Sequence, residues 1–299
     1  MQFRFSKYRK VYFIFSGILI MGSVVSLLLF GLKFGIEFTG GSLLEAEFAG
    51  DRPSIEVIQN NLSEFNLGEV TLQPVGQKGM LFRMKTIDET THERIVSKLQ
   101  GVSAFEEKSF QLIGPAIGNE LRQKTKLAVI LALIAITLYI SFAFRKVSRP
   151  VSSWQYGIAS LIGLFHNILI PLGVFSLLGK FYNVEITIPI VAALLTILGY
   201  SVHDTIVIFD RIRENILKRG SASFEETVDW SLNQTLSRSI NTVLTVLIVL
   251  FTIFFFGGLS LKYFSLILII GITCGAYSSI FIASPILVTW LNFKQRKKG

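Results

Sequence analysis

Four ionisable side chains lie within or beside long apolar stretches of the sequence. His203 and Asp204 share one stretch, His166 lies in an earlier one, and Arg238 stands at the start of a later one. An ionisable residue inside a bilayer is costly to insert and indicates function by default. A buried carboxylate beside a guanidinium can take up and release a proton. These residues therefore predict a functional site inside the membrane, with Asp204 and Arg238 as candidate proton-relay residues and His203 and His166 ranked below them.

Polar residues recur at helical spacing around these side chains. On the later stretch they are Gln234, Arg238, Asn241, Thr245 and Thr252. On the earlier stretch Thr196, Tyr200 and His203 share a face, beside Ser201 and Asp204. Two polar faces at matching depth predict two helices that face each other around water. The alternatives are dry interhelical hydrogen bonds for the serines and threonines, interfacial positions for Asp204 and Arg238, and a packed, neutral state for His166.

The composition is that of a membrane protein. Of the 299 residues 51% are hydrophobic and 16% are charged, and the mean hydropathy is +0.56; soluble domains carry about 25% charged residues. The net charge of +9 does not predict a nucleic-acid partner, because the basic residues form short clusters beside apolar runs, as membrane orientation requires. The single cysteine, Cys274, lies in an apolar run. The sequence therefore predicts neither a disulfide framework nor a metal site.

Six membrane spans can be drawn from the uncharged runs. They extend from about Val11 to Leu32, Leu127 to Phe144, Trp154 to Leu178, Ile186 to Phe209, Ile240 to Phe256 and Phe264 to Leu291. Basic residues cluster on alternate flanks, and these clusters include Lys146 and Arg149, Arg219, and Lys297 and Lys298. The positive-inside rule therefore predicts cytoplasmic termini and an external segment at 34–125. We expect a multi-pass protein embedded in the lipid bilayer of the cell inner membrane.

The segment between the first two spans is predicted to be a small folded domain. Its periodicities indicate the order β-α-β-β-α-β, which is that of a ferredoxin-like split fold. Its length allows only a modest core, and we expect no catalytic set, metal or buried cofactor there, with His92 on the solvated surface. The whole chain is thus predicted to be an α-helical polytopic membrane protein with a small α+β periplasmic domain. Its predicted parts are 1–33 with the first span, the α+β domain 34–125, the five-span bundle 126–293 and a basic tail 294–299.

Four motifs, taken in order, are more informative together than singly. They are Gly35–Gly41, Ile113–Leu121, Leu198–Asn215 and Asn233–Thr242. Alone, the first two would be a turn and a linker. On this topology, the four resemble the SecF members of the SecD/SecF family of protein-export membrane proteins, which belongs to the resistance-nodulation-division superfamily. The resemblance covers nearly the whole chain, and the stretch around Asp204 is its most specific part.

The resemblance implies a function and a set of partners. It implies a non-enzymatic accessory subunit of the Sec preprotein translocase that couples the proton-motive force to late steps of export. The implied partners are a SecD-like second half, the SecYEG channel and the translocating preprotein. In that family the positions of Asp204 and Arg238 are associated with proton movement. The glycines that flank the outer domain are predicted hinges, because glycine tolerates large backbone changes; they are Gly40, Gly41, Gly114 and Gly118.

Three positions depart from the family pattern, and two other function classes compete. Glu37 replaces the usual aspartate, His203 the usual asparagine, and Asn167 the acid of a usual His-Asp pair, which removes a carboxylate from the membrane interior. A proton-driven small-molecule exporter of the same superfamily is one alternative, although such pumps usually need larger outer domains. An intramembrane protease is the other, but an aspartyl type needs two buried acids and a serine type needs a nucleophile beside a base.

Overall fold

The structure, a computed structural model, describes residues 3–145, 150–218 and 223–296. Its first eight elements are α1 (Arg9–Phe30), α2 (Ile36–Thr39), β1 (Gly41–Phe48), α3 (Ile55–Leu62), β2 (Thr71–Val75), β3 (Gly79–Met84), α4 (Glu89–Gln100) and β4 (Phe105–Ile113). Six helices follow: α5 (Pro115–Ala143), α6 (Ser153–Tyr182), α7 (Ile188–Lys218), α8 (Phe224–Phe256), α9 (Leu259–Ser278) and α10 (Ser284–Arg296). A 3-10 turn precedes α1, and a π-helical turn, Ser279–Ala283, joins α9 to α10.

The chain divides into two compact units. The sheet unit comprises Lys33–Leu127 together with the short segment Glu185–Ile188. The helical unit comprises the rest of the described chain. Helices α5 and α7 therefore begin in the sheet unit and continue into the helical unit.

Six stretches of helix in the described chain are long and apolar enough to cross a membrane, which confirms the predicted number of spans. The helices are longer than the predicted spans: α5 begins at Pro115 rather than Leu127, and α8 begins at Phe224 rather than Ile240. Hydropathy marks only the part of a helix that suits hydrocarbon, whereas backbone hydrogen bonds continue into polar flanks. Some basic residues used for the orientation lie outside the described residues: Lys146, Arg149, Arg219, Lys297 and Lys298.

The sheet unit is built on four antiparallel strands in the order β2-β3-β1-β4. Alternate residues of β1 are buried in its core, where they join apolar residues of α3 and α4; the group includes Leu44, Ala46, Phe48, Ile58, Leu62, Ile95 and Leu99. Ser54 and Asp88 cap the two helices by accepting backbone N–H bonds, which satisfies donors that a helix start leaves unpaired. The predicted β-α-β-β-α-β order is confirmed, with the short α2 before it.

The expectation that His92 is a solvated surface residue is wrong. His92 is 8% exposed, and its ring stacks on Phe110 with 3.8 Å between the ring centroids. Its Nδ1 lies 3.2 Å from Glu89 Oε1, and its Nε2 lies 3.1 Å from Glu107 Oε2. The reason is its position on α4, because His92, Ile95 and Leu99 follow the i, i+3, i+7 spacing of one buried helix face.

Small residues allow close helix packing in the helical unit. A Cβ atom added to Gly271 of α9 would overlap the side chain of Ile197 on α7, and one added to Gly275 would lie 3.2 Å from Ser201 Cβ. Between α1 and α6, the hydroxyl of Ser26 donates to the carbonyl oxygen of Gly173 at 3.0 Å. These contacts fit the packing that small residues permit between membrane helices.

The predicted glycine segments lie against each other inside the sheet unit. Gly40 has φ +76° and ψ 162°, a conformation essentially restricted to glycine. A Cβ atom on Gly40 would lie 2.8 Å from Pro115 Cα, and one on Gly118 would lie 2.9 Å from Gly40 N. Gly41 also has positive φ, whereas Gly114 has open space around it. The segment before β1 and the start of α5 are thus in close backbone contact.

This contact predicts a stability effect. Gly40→Ala forces an alanine into a glycine-only conformation and against the backbone of Pro115, so we expect a loss of about 1–3 kcal/mol or more. Gly50→Ala is the matched control, because Gly50 has ordinary φ and nothing within 4 Å of an added Cβ. Thermal and denaturant unfolding of the purified full chain measures both variants. Equal stability of the two variants would contradict the assignment.

Candidate proton relay site

Helix α7 places Asp204 close to its own midpoint. The helix extends over 31 residues, from Ile188 to Lys218, so Asp204 lies about 24 Å along it at 1.5 Å per residue. The predicted span ended at Phe209, and the observed helix continues to Lys218 because the residues after Phe209 keep helical hydrogen bonding. The buried side of α7 is formed by residues such as Ile197, Ser201, Thr205, Ile208 and Ile212.

Helix α8 supplies the second side of the site. It begins with a capping box, in which Ser223 Oγ accepts from the backbone N–H of Glu226 and the Glu226 carboxylate accepts from the backbone N–H of Ser223. This arrangement satisfies two helix-start donors. The helix then passes through Arg238 and Ser239 into its apolar part. Arg238 is exposed in the isolated chain, and Ser239 is buried.

A hydrogen bond joins the two helices at the acid. The hydroxyl of Ser239 donates to Asp204 Oδ1, with 2.6 Å between the oxygens. The second carboxylate oxygen, Oδ2, is buried and has no hydrogen-bond partner among the described residues. About one helical turn away, Tyr200 donates its hydroxyl to the carbonyl oxygen of Thr242 at 3.2 Å. One oxygen of Asp204 is therefore held in place, and the other is the natural position for a proton.

A small cavity of about 130 Å³ opens beside Asp204. Its lining residues are Tyr200, His203, Asp204, Val207, Arg238, Ser239, Thr242 and Val243. The volume is sufficient for several water molecules, and the lining offers the polar partners that such waters need. The expectation of two polar helix faces around a shared space thus agrees with this geometry.

Arg238 and His203 line this cavity without pairing directly to the acid. Within the described residues, Asp204 forms no ion pair at 4.0 Å or less, with Arg238 or with any other base. His203, like Arg238, has an exposed side chain in the isolated chain. A proton passing between these groups must therefore use water in the cavity or a movement of side chains. The arrangement can hold a proton on Asp204 and place a positive charge nearby.

His166 belongs to a different polar cluster. It is 1% exposed, its Nδ1 lies 3.0 Å from Asn167 Oδ1, and its ring stacks on Tyr277. Asn167 in turn donates to Ser201 Oγ at 2.6 Å. His166 does not line the cavity beside Asp204. The structure thus brings Asp204, Arg238 and His203 together and places His166 apart, in a packed position bonded to its neighbour.

Ser239 is the site residue that the sequence argument did not single out. It directly follows Arg238, and a serine in a helix usually bonds its own backbone, so its type carried no signal. The available signal was position: Ser239 lies one residue from an arginine at the depth of Asp204 on the facing helix. None of the described residues forms a group of three or more histidines, cysteines and acids that could bind a metal ion.

The family models and the relatives that match this chain all describe one kind of protein. A family model described as "Protein export membrane protein SecD/SecF, C-terminal" matches residues 93–293, and one described as "SecD/SecF GG Motif" matches residues 25–51. The chain is 42% identical to protein translocase subunit SecF of Thermobaculum terrenum, over 96% of this chain and 93% of that one. The chain belongs to the SecD/SecF family.

Other SecD/SecF family proteins agree with this membership. SecF of Anaerolinea thermophila is 35% identical over 94% of this chain and 92% of that one. The crystal structure of SecDF from Thermus thermophilus, a translocon-associated membrane protein, matches with a TM-score of 0.87 at 32% identity. A second SecDF structure, in a super-membrane-facing form, matches with a TM-score of 0.72 at 30% identity. This chain spans 39% and 40% of those two SecDF chains, and the matches cover 98% and 100% of it.

Proposed function

We propose that this chain is a SecF-like accessory subunit of the Sec preprotein translocase that couples the proton-motive force to late steps of protein export. The observation that carries the proposal is the Asp204 site, where one carboxylate oxygen accepts a hydrogen bond from Ser239 and the other is buried without a hydrogen-bond partner among the described residues. In a member of a protein-export family, such an acid beside a cavity that can hold several water molecules is suited to carry the driving proton rather than to perform chemistry on a substrate.

The cycle follows from the two states of the acid. When Asp204 is neutral, it can remain in the apolar interior at little cost; when it loses its proton, the charge favours contact with Arg238 or water. The two states therefore prefer different packings of α7 against α8. Moving one charge through the membrane potential releases about 2.3 kcal/mol per 100 mV, which is enough to bias two packings that differ by a few kcal/mol.

We assign the movement that accompanies export to the sheet unit. We place it on the periplasmic side as a ferredoxin-like domain that moves while it contacts the preprotein, with both chain termini in the cytoplasm. Gly114 is suited to be a hinge, since nothing lies within 4 Å of an added Cβ. Gly40, Gly41 and Gly118 are closely packed, so a movement through them must first separate α5 from the segment before β1.

The exposed face of α8 supports a second membrane partner. Arg238 and Asn241 are exposed in the isolated chain, and so are Thr242, Thr245 and Thr252. The three threonine hydroxyls donate to carbonyl oxygens of their own helix, but lipid is a poor environment for the side chains of Arg238 and Asn241, and a second six-span half can cover them and complete the relay. We assign this surface to a SecD-like half, and we place the assembled pair beside the SecYEG channel.

The test is an assembly and export measurement. We expect the gently purified chain to carry a SecD-like half and channel subunits with it. We expect a preprotein to be exported faster in the presence of a proton gradient when both halves are present. If this chain alone restored gradient-dependent export in cells lacking both halves, the two-half proposal would be wrong. If both halves restored export equally with and without a gradient, the energy-coupling proposal would be wrong.

A further inference from the structure

The sheet unit contains a buried ion pair that is separate from the residues of the relay site. Arg83 of β3 donates from Nη1 to Glu185 Oε1, and the two side chains are 16% and 4% exposed. Glu185 belongs to the four-residue segment of the sheet unit that leads directly into α7, which begins at Ile188. The pair thus joins a central region of the sheet to the start of the helix that carries Asp204.

The backbone around Glu185 is held as well. The N–H of Ile186 donates to the carbonyl oxygen of Lys33 at 2.7 Å, and the N–H of Gly35 donates to the carbonyl oxygen of Ile186 at 2.9 Å. These bonds form a parallel bridge between Phe34 and Ile186. Two backbone hydrogen bonds and one ion pair therefore hold this segment in the sheet unit.

The ion pair is incompletely satisfied. Glu185 Oε2 and Arg83 Nε are buried, and neither has a hydrogen-bond partner among the described residues. A buried charge that lacks part of its hydrogen bonding is costly. Protonation of Glu185 at Oε2 removes that charge, while Oε1 can still accept from Arg83. Loss of the charge by proton uptake would therefore lower the cost of burying this carboxylate.

We propose that Glu185, held by Arg83, is a positioning residue that docks the start of α7 into the sheet unit, and that proton uptake by Glu185 strengthens this docking. The inference rests on the proposed function for its consequence, because α7 is the helix of the proposed relay. The docking of α7 into the sheet unit can be tested whether or not this chain takes part in export. Docking would give the proton-sensing helix a direct attachment to the sheet unit, in addition to the covalent connections through α1 and α5.

The charges that face Glu185 determine the direction of the pH effect. They are Arg83 from β3, and Lys33 and Glu37 from the segment after α1. Burial raises the pKa of Glu185 from 4.5 to about 7; Arg83 and Lys33 oppose this shift, and Glu37 adds to it. An undocked, hydrated Glu185 would return towards its ordinary value. Docking therefore takes up a proton between these two values, so the docked state gains stability as the external pH falls through about 7 and loses it as the pH rises.

Hydrogen exchange of the assembled complex tests the structural part. We expect the Ile186 and Gly35 amides, corrected for intrinsic exchange, to be more protected at pH 6 than at pH 8. Glu185→Gln imitates the protonated acid, so it should keep high protection at both pH values. Arg83→Gln leaves Glu185 buried without its partner and should lower protection at pH 8. Glu64→Gln is the matched control, since the Glu64–Lys98 pair is a surface pair in the same unit, with side chains 52% and 42% exposed.

Export measurements separate the inference from the proposed function. If docking must be released during the cycle, Glu185→Gln should reduce gradient-dependent export while leaving assembly and the hydrogen bond between Ser239 and Asp204 intact. The same pH profile of amide protection in wild type and Glu185→Gln would overturn the inference, whatever the export result. A pH-dependent protection that disappears in Glu185→Gln, together with gradient-independent export, would retain the docking inference and reject the energy-coupling role.

Discussion

Asp204→Asn is expected to abolish the part of protein export that depends on the proton gradient. Asparagine has the size of aspartate, and its amide oxygen can still accept the hydrogen bond from Ser239, so the contact between α7 and α8 should survive. The amide cannot bind and release a proton at physiological pH. Insertion, abundance and association with a second half should therefore remain normal, and gradient-driven export should fall to the level of membranes without a gradient.

The measurement is export of a reporter preprotein into membrane vesicles, with the gradient present and then collapsed by an uncoupler. Asp51→Asn is the control, because this substitution makes the same chemical change at an exposed position of the sheet unit. Export in the Asp51→Asn membranes should respond to the uncoupler as in wild type. If Asp204→Asn kept full gradient-dependent export, Asp204 would be a polar packing residue and the relay proposal would have to be abandoned.

Replacements of Arg238 should separate the effect of charge from the effect of shape. Arg238→Met keeps a long side chain but removes the positive charge from the cavity beside Asp204. An opposite charge favours the ionised form of an acid, so without it proton release should be impaired, and gradient-dependent export should be lost nearly as fully as in Asp204→Asn. Arg238→Lys keeps the charge without the planar fork and should retain part of the export.

The order of the variants is the decisive result for Arg238. We expect wild type to exceed Arg238→Lys, and Arg238→Lys to exceed Arg238→Met, in gradient-dependent export at equal protein abundance. Arg94→Met serves as the control, since Arg94 is an exposed residue of the sheet unit that lies over the Phe65 ring. Equal activity of the lysine and methionine variants would mean that Arg238 acts through packing rather than through its charge.

The membrane helices and the acid were predictable because both depend on local chemistry. An uncharged apolar run of sufficient length predicts a membrane span, and an aspartate within such a run is conspicuous whatever its partners are. The extent of the helices was less predictable. Helix α8 begins sixteen residues before its apolar part because the Ser223–Glu226 capping box, rather than hydropathy, determines where it begins.

The contacts between distant segments could not be predicted from the sequence. Arg83 and Glu185 are 102 residues apart, and each alone resembles an ordinary polar residue at the end of an element. Their pairing depends on how the segment before α7 folds into the sheet unit. Ser239 was similarly inconspicuous until the register of α7 against α8 placed its hydroxyl on Asp204. His92 was a different case, since its helical spacing with Ile95 and Leu99 already indicated burial.

The exposed polar face of α8 has a consequence for the production of this protein in the cell. Arg238 and Asn241 are exposed in the isolated chain, and within the described residues neither side chain has a hydrogen-bond partner. A newly inserted chain without a second half would expose these groups to lipid, at a cost of a few kcal/mol per charge. In the proposed two-half assembly the cell therefore has to supply the second half together with this chain, and we expect surplus copies of this chain to be less stable in the membrane.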